Sequence, residues 1–157
     1  MHIIDYFKFT WNDVIYDIEL RGRVCQLLGA SGTGKSFFVT ALRELSRASS
    51  LIPSHLKTRL EKTITCTIMD MTSDRLYNEI IRTRGHLFVI DNADLLISLD
   101  LEQLIRSNRD NQFAIIGRQD FEFHITPNYY GEIKKSGKRI YTEYEYNMPN
   151  WNQEHSL

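Results

Sequence analysis

Eight consecutive residues, Gly29-Ala30-Ser31-Gly32-Thr33-Gly34-Lys35-Ser36, constrain this chain more than any other stretch. They satisfy the pattern G-x-x-x-x-G-K-[ST] at every fixed position. An apolar run from Val24 to Leu28 precedes them, and Phe37, Phe38, Ala41, Leu42 and Leu45 follow at helical spacing. A strand, a glycine-rich turn and a helix start form the context in which this pattern holds phosphate. Glycines let the backbone wrap closely around an anion. Free N–H groups and the positive end of the helix dipole then point at it. Lys35 is expected to reach the outer phosphates, and the Ser36 hydroxyl to help hold Mg²⁺.

The rest of the chain bounds the setting. Its 157 residues suit one domain with a sizeable core. A net charge of −1 gives no global pull toward nucleic acid or an anionic membrane. No apolar stretch has the length of a transmembrane helix, and the N-terminus does not have the form of a signal peptide. Cys25 and Cys66 fall in predicted buried strands, where free thiols are expected rather than a disulfide or a metal site. A cytoplasmic location is the simplest fit.

Hydrophobic periodicity predicts strands over 3–9, 14–20 and 24–28, with Arg21-Gly22 joining the last two as a hairpin. A helix is predicted over 36–48, a short one over 54–62, a strand over 63–69 ending at Asp70, and a helix over 73–83 closed by Gly85. His86-Leu87-Phe88-Val89-Ile90-Asp91 is a second diagnostic stretch. Its continuous apolarity suits a parallel strand covered on both faces, and its Asp lies where such a sheet presents groups to a ligand. Asp100 with Gln103 reads as a capping box, followed by a buried strand at Phe113–Ile116. A further strand at Phe121–Ile125 and a hairpin over about 132–147, turning at Ser136-Gly137, complete the pattern.

These residues resemble the P-loop NTPase superfamily, in its AAA+/ABC-like branch with an additional strand between the Walker A and Walker B strands. The likeness spans about residues 14–120 and singles out no one family. It implies ATP and Mg²⁺ as ligands, and an α/β fold with three layers. That fold has a mainly parallel sheet in order 5-1-4-3-2 with helices on both faces, plus an N-terminal strand pair and a C-terminal β-hairpin. The whole chain, 1–157, is then a single domain. Gly29 to Ser36, with Phe37, would bind the nucleotide; Ser36 and Asp91 would hold the metal. Trp11, with Tyr6 and Phe9 behind it, is where ABC-type proteins place an adenine-stacking aromatic. Arg118 or Gln119 is placed to sense the γ-phosphate.

Asn92 departs from the pattern, because active members usually carry Glu directly after the Walker B Asp. An amide cannot accept a proton from the attacking water. Asp94 and Asp70 are the acids that could substitute. The implied function is an ATP-binding protein with weak or partner-stimulated ATPase activity, working as a nucleotide-dependent switch or assembly subunit. A small-molecule or nucleotide kinase is the alternative, using some of Arg82, Arg84, Arg106 and Arg109, although no lid-like arginine pair accompanies an acceptor motif. A nucleic-acid-associated ATPase is another, using Lys134, Lys135, Lys138 and Arg139 on the hairpin. Against that, nearby Glu132, Glu143 and Glu145 favour a solvated hairpin whose lysines guard an edge. A protein partner or self-association is expected in either case.

Overall fold

The computed structural model describes residues 3–29, 34–48, 52–118 and 129–144. Strands β1 (Tyr6–Trp11) and β2 (Val14–Glu19) form an antiparallel hairpin in which Trp11 faces Val14. The intervening Asn12 and Asp13 both have positive φ, at 50° and 67°. Two such residues make the tight turn whose twist matches the flanking strands, and Asn and Asp tolerate that backbone best. Strand β3 (Val24–Gly29) leads to helix α1 (Lys35–Arg47), then α2 (Ser54–Glu61) and β4 (Thr63–Cys66). Next come α3 (Ser73–Arg82), β5 (Leu87–Ile90), α4 (Ala93–Leu96) and α5 (Leu99–Ser107). Strands β6 (Gln112–Arg118), β7 (Tyr129–Ser136) and β8 (Arg139–Glu143) close the sequence of elements.

All eight strands belong to one sheet, in order β1-β2-β8-β7-β3-β6-β5-β4. The β1–β2 and β7–β8 pairings are antiparallel. The β2–β8, β7–β3, β3–β6, β6–β5 and β5–β4 pairings are parallel. The fold expected from the sequence is therefore corrected. In place of a three-layer P-loop fold with strand order 5-1-4-3-2, the described residues form one mixed eight-stranded sheet curled into a half-barrel with five helices. The strand pair and the hairpin are not appendages: β8 pairs with β2, from Ile15 opposite Arg139 to Asp17 opposite Tyr141.

The physical reason lies in the hairpin's apolar alternation. Ile133 and Ile140 are buried in the same cluster as Phe7, Tyr16, Ile18 and Leu27, and so hold the hairpin against the core. The turn expected between β2 and β3 is not a hairpin either, because β8 and β7 lie between those strands. β4 stops at Cys66 rather than Met69, and a turn over 67–70 carries Asp70. The N-cap of α5 is Ser98, whose side chain accepts from the Leu101 N–H at 3.3 Å, rather than Asp100. The strand expected at 121–125 and the chain beyond 144 lie outside the described residues.

Two apolar clusters occupy the two sides of the sheet. One joins α1 and α2 through Phe38, Leu42, Leu45, Leu56 and Leu60 to Cys25, Leu27, Val89 and Ile116. The other joins α3, α4 and α5 through Leu76, Ile80, Leu96, Leu101 and Ile105 to Val24, Phe88, Ile90 and Phe113. The thiols of Cys25 and Cys66 are both free and buried. Burial, with a smaller push from Glu79, drives the Cys66 thiol up to about 12. Among the described residues no helix is long and apolar enough to cross a membrane.

Both backbone groups of Ile4 are held by one side chain. Gln112, only 2% exposed, donates to the Ile4 carbonyl at 2.7 Å, and its own carbonyl accepts from the Ile4 N–H at 2.9 Å. It thus stands in for a missing strand partner. Gln112→Leu would strand both buried backbone groups, at a cost of roughly 2–4 kcal/mol. Chemical denaturation of the variant is expected to report a loss of that size, with the slope unchanged.

Candidate functional site

The site forms where the central parallel strands end. The last residues of β3 and β6, Gly29 and Arg118, are register partners. On the next strand, Ile90 of β5 pairs with Ile115, so Asp91 emerges at the same end of the sheet. Open sheets bind ligands at the carboxyl ends of parallel strands, because loops and helix N-termini converge there. Of the glycine-rich stretch, Gly29, Gly34, Lys35 and Ser36 lie within the described residues, whereas Ala30, Ser31, Gly32 and Thr33 lie outside them, as does Gln119.

Gly34 is the N-cap of α1, with φ at 97°. The first intrahelical bond runs from the Phe38 N–H to the Gly34 carbonyl. No acid occupies the first turn, so the helix's positive end is not offset from within. Lys35 folds back and donates from Nζ to the Gly29 carbonyl, bridging the two ends of the loop. A methyl group added at Gly34 would come within 2.7 Å of Ile140 Cδ1 on β8. Glycine is needed there for its backbone angle and for that close approach.

Asp91 is 9% exposed and accepts from the Asn92 N–H at 2.8 Å. Burial raises its pKa most strongly; the Asn92 N–H and the charge of Lys35 oppose the shift, and Asp94 adds to it. Lys35, Asp91 and Asp94 therefore share one electrostatic environment. Arg118, at the end of β6, lies 3.6 Å from Asp94, so that Lys35 and Arg118 flank the two neighbouring carboxylates, Asp91 and Asp94.

The other residues singled out by the sequence are committed elsewhere. Asp70 is ion-paired with Arg43 of α1, and its other oxygen accepts from the Thr67 N–H and hydroxyl at 3.3 Å. It is not among the charges acting on Asp91. Trp11 donates from its indole to Glu44 at 2.6 Å and packs against the core. Glu44 lies nine residues after Lys35 on α1, so the indole is roughly 13 Å along the helix from the phosphate loop. Tyr6 carries the Arg59 guanidinium over its ring, and Phe9 stacks on Tyr16.

On the hairpin, Lys134 pairs with Glu143 at 3.1 Å, Lys138 with Asp13 at 3.0 Å and Arg139 with Asp17 at 2.9 Å. Three of the four cations that suggested nucleic acid are thus met by carboxylates of the chain itself.

Asn92 acquires a meaning that motif comparison misses. It sits in the left-handed region, with φ at 52° and ψ at 43°, as the N-cap of α4. Asn enters this conformation far more readily than Glu. The residue after Asp91 is thus under a backbone constraint. Sequence reasoning also missed α4, whose four residues are too few to show a period. Arg43, Glu44 and Ile140 were missed as well, since their relevance comes from contacts with residues distant in the chain.

The residues that could hold a metal are Ser36, in the first turn of α1, and Asp91, directly after β5. Among the described residues, no three His, Cys, Asp or Glu side chains gather to hold an ion by themselves. A site with one carboxylate and one hydroxyl suits Mg²⁺, which usually takes its remaining ligands from substrate phosphates and water. Compared with known protein families and with curated proteins, the chain matches no family model and no relative.

Two stability measurements check this geometry. Asn92→Gly should unfold at or above the wild-type temperature, whereas Asn92→Glu should lose about 1 kcal/mol to the left-handed backbone. The raised pKa of Asp91 means that the folded chain holds a proton more tightly there than the unfolded chain does. Stability from this group is therefore present at low pH and is lost as pH rises from the ordinary carboxylate range through the raised value. Asp91→Asn should melt above wild type at pH 7 and converge with it in acid.

Proposed function

We propose that this chain binds Mg·ATP and hydrolyses it slowly, as a nucleotide-dependent switch or assembly subunit working with a protein partner or a second copy of itself. Kinship with the P-loop NTPases, proposed on the loop and the apolar strand ending in Asp91, is part of the same reading. One observation carries it. Lys35, Asp91, Asp94 and Arg118 come together beside a stretch with the full phosphate-binding pattern.

The division of labour follows from the chemistry of each group. Backbone N–H groups at the start of α1, with the helix dipole, favour the phosphate anions. Lys35 leaves the Gly29 carbonyl for the outer phosphates, exchanging a neutral acceptor for a charged one. Ser36 and Asp91 would hold the metal, and a cation there would offset the cost of keeping the Asp91 carboxylate ionised and buried. When bound, Mg²⁺ would neutralise charge on the phosphate oxygens.

Asp94 is the acid best placed to orient the attacking water, since Asn92 lacks the charge and Asp70 is occupied by Arg43 and Thr67. Arg118 competes for Asp94. Arg118, 68% exposed at its side chain, could instead turn to an incoming γ-phosphate and release the carboxylate. Slow turnover that rises when a partner moves Arg118 is the behaviour of a switch. A cytoplasmic location belongs to the same reading, because Mg·ATP is abundant there.

Equilibrium titration with Mg·ATP and steady-state phosphate release test the assignment. Lys35→Ala should bind at least about tenfold more weakly, as expected for loss of a charge-assisted phosphate contact. Wild-type affinity in that variant would sink the proposal. Asp94→Ala should keep its affinity and lose turnover, while Asp70→Ala should turn over at the wild-type rate.

A further inference from the structure

The C-terminal hairpin overhangs the start of α1. The pairing of β7 with β3 ends at Leu28 opposite Glu132, yet β7 runs on to Ser136. Residues 133–136 and the start of β8 therefore extend past the point where β3 gives way to the loop. Ile140 presses on Gly34 from this overhang. Tyr16, on the strand beside β8, donates its hydroxyl to the Phe37 carbonyl at 3.3 Å. The hairpin and the first turn of α1 are thus packed together.

Two side chains stand out there. Phe37 follows Ser36 directly and is 58% exposed, an unusual position for a large apolar ring in a helix whose other aromatic, Phe38, is fully buried. Helical side chains lean toward the helix N-terminus, so this ring covers the turn nearest the loop. The ammonium of Lys135 lies 5.5 Å from the centre of the Phe37 ring. Unlike Lys134, Lys138 and Arg139, Lys135 makes no ion pair among the described residues. A second cation over the first turn of α1, at the positive end of a helix with no acid there, is electrostatically unfavourable on its own. A polyanion in the loop reverses that sign.

Resting on the Mg·ATP reading, we propose that Lys135 and Phe37 form a nucleotide clamp: Lys135 moves from the aromatic ring onto the polyphosphate, and the uncovered Phe37 ring receives the base or ribose. The hairpin then responds directly to nucleotide and becomes the element through which a partner senses loading. The two residues divide the ligand by chemistry. Lys135 recognises charge and accepts any triphosphate, whereas Phe37 recognises an apolar, stackable surface and contributes nothing to inorganic phosphate.

Equilibrium binding of two probes, Mg·ATP and inorganic tripolyphosphate with Mg²⁺, separates these roles. Lys135→Ala should weaken both by about tenfold, and Lys135→Arg should restore both. Phe37→Ala should weaken Mg·ATP by several fold and leave tripolyphosphate within twofold. Lys134→Ala, which removes an exposed ion pair of the same hairpin, should leave both probes unchanged. If Lys135→Ala stays within twofold of wild type while Lys35→Ala loses binding, the clamp is wrong and the Mg·ATP reading stands. If wild type binds neither probe, both fall. Equal losses of both probes in Phe37→Ala would show general disruption of α1 and overturn the stacking role.

Discussion

Parallel pairing of β3 with β6 on one side and β7 on the other leaves this strand buried across its faces, and the place where it ends sets the geometry of the site. Gly29 closes the strand opposite Arg118, so the loop begins level with the side chain that pairs with Asp94. On the other side, β7 continues after β3 has stopped, which carries Ile140 and Lys135 over the start of α1. The same hydrogen-bonded strand thus aligns the charged groups on one flank and the hairpin on the other. A shift of register by one residue would turn Cys25 and Leu27 out of their cluster, so burial holds the alignment in place.

Charge at the site is balanced rather than in excess, with two carboxylates between two cations. Lys35 faces a backbone carbonyl, Asp91 feels Lys35 and Asp94, and Asp94 meets Arg118. Asp91 and Asp94 repel each other, and Lys35 offsets the first as Arg118 offsets the second. Lys135 differs, since it rests on a ring instead of a carboxylate.

Local structure was largely legible in the chain because it depends on neighbours in sequence. The apolar run ending in Asp91, the helix after Ser36 and the turn at Gly137 follow from periodicity and from the backbone freedom of glycine. Strand ends were less legible: Ile68 and Met69 look like strand residues but are exposed in a turn held by Thr67 and Asp70. Asn92 was legible as a departure from a motif, yet its left-handed backbone was not, since nothing in its neighbours marks positive φ. Asp70 and Asp94 looked equivalent as acids; Arg43, 27 residues away, distinguishes them.

What the sequence determined by itself was the glycine-rich pattern, the identity of the charged residues near it and the strand that presents Asp91, because each is encoded within a few consecutive positions. Only the tertiary structure decided that the sheet is mixed and curled, that β8 lies against β2, and that the C-terminal hairpin packs on the start of α1. Those outcomes rest on pairings such as Tyr16 with Ile140, whose partners are far apart in the chain. Alternating apolar residues show that a strand will bury one face, but not which strand it will lie beside. That choice is made by the fit of whole faces in the folded core.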